Sequence, residues 1–312
     1  MDELVVIAIR KTFQEECIRE EVIERYIYNA KEITYTKTKN RTSVARMNKV
    51  CDIINYYDDL IDNKSINQSA ISREISRNLV GDGKNKYIKP NEELYKDLET
   101  YFGGQIFSTK AVVVKAMLDL EKHRVWRRLV VPVNLVFNRL HKVLQAAFGW
   151  KSYHLHEFYI YSNERQVKGL SINHSGYHKE GYKPIVNLVC DEAAFGYDND
   201  VPMQLETGIK LSEYIPAKIK YNYDFGDNWQ HYIEVEIVID DYDKNYAVCL
   251  EGEGNTPPED VGGEHGYQEF LKIIANKEHP EHEHMINWAK GQGYKEFDIE
   301  TVNRKLRQLC GT

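Results

Sequence analysis

Hydrophobic and polar positions along this chain follow two different rhythms on either side of about residue 105. Before it, apolar residues recur at helical spacing. Cys17, Ile18, Val22, Ile23 and Tyr26 fall on one face over residues 15–30, and Val44, Met47, Val50, Cys51 and Ile54 on one face over 43–54. Further helices are expected at 65–79 and 91–101, with a short β-prone piece at 32–36 between the first two. Gly103-Gly104 marks the boundary. After it, the runs 111–120 and 125–131 are rich in Val and Leu and read as strands. Residues 133–148 carry Val136, Phe137, Leu140, Val143, Leu144, Ala147 and Phe148 as one apolar stripe, closed by Gly149, which predicts a helix with a glycine cap. Strands follow at 155–161, 218–223 and 231–239, with a loop and a short helix near 211–214 between the first two. The loop 251–263 leads to helices at 266–275, 283–288 and 299–309. Strands and helices that do not alternate strictly predict an α+β fold, a mixed or antiparallel sheet with packed helices. A mainly helical domain over 1–105 precedes this second domain over 106–312.

Composition narrows the setting. The 312 residues suffice for two domains, and no apolar run reaches the ~20 residues of a membrane span. The acidic start Met1-Asp2-Glu3-Leu4 lacks the order of a signal peptide, so a cytoplasmic protein without a membrane partner is expected. Five scattered cysteines argue against a disulfide framework and against a thiolate zinc site. A net charge of -7 gives no global attraction for nucleic acid. Local basic residues in the first third offer one all the same: Lys37, Lys39, Arg41 and Arg46, then Arg73 and Arg77 in a stretch that resembles a recognition helix.

The residues able to carry chemistry cluster in four segments. Asp224-Phe225-Gly226-Asp227-Asn228-Trp229 joins two strands, and its aspartates suit a tight turn. A kinase would need a glycine-rich phosphate loop, a strand lysine and an HRD segment beside such a DFG, and all three are missing. His154 and His156, two apart on an expected strand, would face the same side. With Asp227 and His231 they could ligate a divalent metal, with Glu259 or Asp260 as acid or base. No other cofactor is called for. The loop 251–263 is acidic and lacks a GK[ST] ending, which argues against a phosphate cradle. His279–His284 reads as the acidic start of a helix. No serine or cysteine occupies a nucleophile motif.

Taken together, several ordered segments resemble the plasmid pRiA4b ORF-3-like family over about 110–309. They are Val125-Trp126-Arg127-Arg128, Gln145–Trp150, His154-Leu155-His156-Glu157-Phe158, Tyr223–His231, Cys249-Leu250-Glu251-Gly252, Pro257-Pro258-Glu259-Asp260, Gly262-Gly263, Gly266-Tyr267 and His279–Trp288 with Phe297-Asp298-Ile299. The resemblance implies an α+β domain, passengers of mobile elements in bacteria, and no assigned activity. Family members often carry cysteines in the Pro-Pro-Glu-Asp loop, where this chain has Thr256 and Val261, leaving Cys249 alone. Residues 33–48 resemble an uncharacterised module that is sometimes joined to this domain. The leading expectation is a non-enzymatic binding or regulatory protein. It would take a protein or nucleic-acid partner in a cleft of Trp126, Arg127, His154, His156, Asp224, Asp227, Trp229 and His231 beside the Pro-Pro-Glu-Asp loop. The alternatives are a metal-dependent hydrolase or nuclease using the His/Asp set, and DNA binding through the first third.

Overall fold

The computed structural model describes residues 106–164 and 180–309, and within the first 35 residues positions 6, 10, 13, 14 and 17–35. The chain divides into two compact units. One comprises Met1–Thr109, Asp241–Asn245 and Cys310–Thr312; the other comprises Lys110–Asp240 and Tyr246–Leu309. In the first unit, helix α1 (Glu20–Tyr35) buries Val22, Ile23 and Ile27 at helical spacing. It runs through 32–35, so the β-prone reading there gives way to the helix already in progress, an instance of context overriding propensity. Lys37, Lys39, Arg41, Arg46, Arg73 and Arg77, and the helices expected at 43–101, lie outside the described residues.

The second unit is α+β. Its strands are β1 (Thr109–Leu118), β2 (Val125–Pro132), β3 (His156–Tyr161), β4 (Pro184–Val189), β5 (Met203–Leu205), β6 (Ile219–Tyr223), β7 (Trp229–Tyr242) and β8 (Val248–Glu253). They form one mixed sheet in the order β5-β4-β3-β6-β7-β1-β2-β8, with β4 and β5 parallel. Helices α2 (Phe137–Phe148), α3 (Gly263–Ala275), α4 (His282–Gln292) and α5 (Ile299–Gln308) accompany it. Three strands, β4, β5 and β8, were not expected. β4 is a short, almost wholly buried run with no polar alternation to announce it, and β5 has three residues. β8 takes the first residues of what reads as the 251–263 loop, because Glu251, Gly252 and Glu253 pair with Arg128, Arg127 and Trp126.

Phe137, Leu140, Leu144 and Ala147 recur every three or four residues along α2 and are fully buried, as are Phe158, Tyr221 and Tyr223 of the sheet. Each such large side chain contributes roughly 1.5–3 kcal/mol of burial. The helix ends at Gly149, whose φ of 87° is the left-handed cap that its sequence position calls for. That cap turns the chain directly into Trp150 and the segment leading to His154.

One buried cation fastens the sheet to the loop beyond β8. Arg127 donates from Nε to the Ala147 carbonyl, and from its two terminal nitrogens to the carbonyls of Trp126, Glu253 and Gly254 and to Thr256 Oγ1, at 2.8–3.2 Å. All five of its N–H groups are therefore used. The guanidinium also lies 4.0 Å from the ring centre of Phe297. Burial lowers its pKa from 12.5 to about 10, while Cys249 pulls in the opposite direction. Gly252 is required beneath it, since an added Cβ would come within 2.9 Å of Arg127 Cδ and 2.7 Å of the Phe297 ring.

Candidate functional site

The site is assembled where β3 begins and β6 ends, with His156 paired opposite Tyr223. The chain leaves β6 through Asp224, whose amide donates to the Leu155 carbonyl at 3.0 Å and whose φ is 55°. Asp224 Oδ1 accepts the amides of Gly226 (3.0 Å) and Asp227 (3.3 Å), and the amide of Asn228 closes the turn on the Asp224 carbonyl. Those bonds engage one oxygen of Asp224 and leave Oδ2 facing away from the turn. Asp227 does different work: its Oδ2 accepts the Gly262 amide at 3.2 Å, tying the turn to the Pro-Pro-Glu-Asp-Val-Gly-Gly loop. Gly263 passes so close that a Cβ there would lie 2.9 Å from the Asp227 carbonyl oxygen.

This docking delivers Glu259, which is 1% exposed. Its Oε1 accepts the Lys151 amide at 2.7 Å and the Tyr223 hydroxyl at 3.0 Å. Burial raises the Glu259 pKa, and the bonds from Lys151 and Tyr223 and the neighbouring His154 oppose the rise. His154 sits in the bend before β3 with Nε2 3.5 Å from Asp224 Oδ2, 3.9 Å from Glu259 Oε2 and 3.1 Å from Asp260 Oδ1. That nitrogen is shielded from solvent and meets none of the three carboxylates in hydrogen-bond geometry. One ligand atom each from His154, Asp224 and Glu259 lies within 4.8 Å of the others. Two carboxylate charges at that separation repel by about 3 kcal/mol at an effective dielectric of about 20.

The histidines expected to act together do not. His154 precedes the strand, so the alternation that would align it with His156 does not apply. His156 turns to Glu206, with Nε2 3.1 Å from both carboxylate oxygens, and stacks on His141 at 3.6 Å and 6°. Burial pulls the His156 pKa down, but Cys190 and Glu206 outweigh it and carry it up to about 9. His141, bonded to the Tyr221 hydroxyl and to Ser152 Oγ, is driven down to about 3 by burial and by the charge of His156. His231 is wholly buried among Phe148, Trp150 and Tyr221 and points neither ring nitrogen at a hydrogen-bond partner. Desolvation takes its pKa to about 3, against the weaker pull of backbone groups at Tyr221 and Trp229. Trp229 is likewise core, stacked on Trp150 at 6.0 Å. The metal set His154, His156, Asp227 and His231 is thus scattered over three environments, and the set the structure brings together is His154, Asp224 and Glu259, with Asp260 beside them.

Trp126 stands apart from this group, whereas the inward-turned Arg127 lines the same cavity as Glu259, over the Phe148 ring. Both residues belong to β2, four strands from β3 in the sheet order. Trp126 donates from Nε1 to Glu253 at 2.9 Å and is flanked by Lys115 and Arg128. Three residues escaped the sequence reading. Glu206 arrives beside His156 just past the three-residue strand β5, and Cys190 just past the unexpected β4. His141 gave a signal that could have been used, a histidine on the apolar face of α2.

Residues 110–306 match the protein family described as plasmid pRiA4b ORF-3-like protein, and residues 1–93 match a domain of unknown function, DUF6933. A relative from Sinorhizobium fredii, "Uncharacterized protein y4hQ", is 36% identical over 192 residues, covering 62% of this chain and 86% of its own length. A solved structure, that of a protein of unknown function, MM3350, from Methanosarcina mazei Go1, is 30% identical. It covers 62% of this chain and 97% of its own, with a TM-score of 0.47. No helix among the described residues is long and apolar enough to cross a membrane.

Proposed function

Because the chain belongs to the plasmid pRiA4b ORF-3-like family, whose matched relatives are described as uncharacterised or of unknown function, we propose a function from the site itself: a divalent-cation centre of hydrolytic type. The observation that carries this reading is the convergence of His154, Asp224 and Glu259 within 4.8 Å around a buried, unbonded imidazole nitrogen. Each side chain comes from a different one of the sequence segments that carry the family resemblance. An imidazole with two carboxylates suits a hard-to-borderline ion such as Mn²⁺ or Zn²⁺. Donors around one such ion stand roughly 3–3.6 Å apart, given metal–ligand lengths near 2.1 Å, and the two separations of 3.5 and 3.9 Å from His154 are close to that. Gly226, Asp227, Lys151 and Tyr223 hold the two carboxylates in orientation, as outer partners of metal ligands do. Asp260 is more than half exposed on the same side and is the base for a bound water.

Elemental analysis of protein purified without chelator, followed by calorimetric titration with Mn²⁺ and Zn²⁺, tests the reading. One equivalent is expected, lost in Asp224→Asn and Glu259→Gln and kept in His231→Phe. No stoichiometric metal, together with an unchanged melting temperature in either ion, removes the proposal. A second reading has its own observation: Tyr153, Leu155 and Phe225 are 69%, 51% and 55% exposed next to this site. Such a rim suits recognition of a macromolecular partner without chemistry, as in a regulatory protein associated with mobile elements. Under that reading the site residues support a surface, and turnover is absent whatever ion is added.

A further inference from the structure

A cavity of about 50 Å³ opens between the end of α2, the Pro257-Pro258-Glu259 segment and the connection from α4 to α5. That is room for roughly three to five waters at about 10–15 Å³ each, the size of one tetrahedral oxyanion. Phe148, Trp150 and Phe297 contribute aromatic walls. The charges on the lining are unbalanced. Arg127 is 2% exposed, and its five N–H groups go to carbonyls and to Thr256 Oγ1, so no carboxylate neutralises it. Lys305, partly buried on α5, and Lys295 also line the cavity, and neither makes an ion pair or a side-chain hydrogen bond among the described residues. By contrast, Lys218, Lys244 and Lys272 each rest on a carboxylate. Burial, and then the charge of Lys295, hold the Lys305 pKa below the usual lysine value. Of the acids on the lining, Glu259 and Asp298 turn their oxygens to neighbouring backbone N–H groups, and Glu296 is exposed. Thr256 accepts from Arg127 at 3.2 Å and has its hydroxyl proton left to donate.

We propose that this cavity binds a phosphoryl group, free or at the end of a small phosphate ester, with Lys305, Lys295 and the Thr256 hydroxyl as its donors. Arg127 has no N–H left to offer and acts through its charge alone, a fixed positive field beside the ligand. A dianion answers two unpaired ammonium groups better than a carboxylate does, and lysine meets phosphate as a point charge without needing a planar fork. The aromatic walls keep the effective dielectric low, which strengthens each of these attractions, and they offer a flat apolar surface to whatever carries the phosphate. Binding needs no metal at His154, Asp224 and Glu259, so it is independent of the function proposed above.

Full-length protein in EDTA and physiological salt is titrated by calorimetry with inorganic phosphate, phenyl phosphate and acetate. Both phosphates are expected to saturate one site per chain, with acetate at least about tenfold weaker. Tighter binding of phenyl phosphate marks an ester as the ligand, and tighter binding of inorganic phosphate marks the free ion. Lys305→Met should lose at least about tenfold in phosphate affinity, while Lys305→Arg, which keeps the charge, should stay within about threefold of the parent. Lys295→Met should lose less, because Lys295 is exposed. Lys272→Met removes an equal charge outside the lining and should change nothing. Urea midpoints establish that each variant is folded. Because chelator is present throughout, failure to bind metal and failure to bind phosphate are separate results. Absence of saturable binding at tens of millimolar phosphate, acetate binding as tightly as phosphate, or unchanged phosphate affinity in Lys305→Met overturns the proposal.

Discussion

Replacing Arg127 by methionine removes a buried charge and strands its acceptors, and the two effects oppose each other. The guanidinium serves four carbonyls and one hydroxyl, and hydrogen bonds to a charged group contribute about 1.5 kcal/mol each at the low end, roughly 7 kcal/mol for five. Against this stands the cost of burying the charge. The pKa is lowered from 12.5 to about 10, and at about 1.4 kcal/mol per unit that is roughly 3 kcal/mol recovered when the charge is removed. Arg127→Met is therefore expected to lose about 4 kcal/mol, in keeping with the range found when one partner of a buried charged network is deleted. Arg127→Lys keeps a charge but offers three donors in place of five, and it loses stability as well. Urea unfolding followed by tryptophan fluorescence and far-ultraviolet dichroism measures both. The slope should remain that of the parent, so that the midpoint carries the change. A loss below about 1 kcal/mol in Arg127→Met would refute the view that these bonds hold the β2–β8 ribbon to the loop ahead of Glu259.

Three further expectations can be checked the same way. Gly254→Ala places a Cβ 2.0 Å from the Arg124 carbonyl oxygen at φ 78°, whereas Gly149→Ala meets nothing within 4 Å at φ 87°. The second should lose only the roughly 1–2 kcal/mol of left-handed backbone, and the first clearly more, by urea midpoint. His141 and His231 titrate near 3 when folded and near 6.5 when unfolded, so the unfolded chain binds more protons below 6.5. Stability then falls from about pH 6.5 towards 3, by up to about 2.7 kcal/mol per pH unit for the pair. His156, raised to about 9, has the opposite sign: its contribution is full below about 6.5 and is lost as pH climbs through 9. Urea midpoints from pH 4 to 10 should pass through a maximum near neutrality, and a flat profile contradicts the assignments. Asp227→Ala removes the bond to the Gly262 amide, costs about 1 kcal/mol, and weakens cation binding in titration without touching a ligand.

Where the chain's own periodicity decides local structure, the sequence was readable. The stripe from Phe137 to Phe148 and its glycine cap became α2 because a 3.6-residue apolar repeat has one good solution against a sheet. β4 escaped because a strand covered on both sides has no alternation, and β5 because three residues carry no pattern. The site was half legible. His154, Asp224, Glu259 and Asp260 could be singled out by residue type and by turn chemistry. Their grouping could not, because it depends on where β3 starts. With the strand starting at His156, two histidines that look like a matched pair separate into different networks. Glu206 and Cys190 are brought to His156 by β4 and β5, and the sheet order β5-β4-β3 is not written in any local stretch.

Four residues around the site, Ser152, Asp224, Asn228 and Asp260, hold φ between 55° and 59°. Asparagine and aspartate tolerate that conformation better than most side chains, and glycine adopts it without strain. Glycine at Asp224 or Asp260 would relax the backbone while deleting a carboxylate from the cluster. Selection of variants for heat resistance alone should therefore drift towards glycine or asparagine at these positions and leave the site chemically silent. A library ranked first by melting temperature and then by cation binding would show the two orders running in opposite directions there, a trade between durability and use written into the backbone.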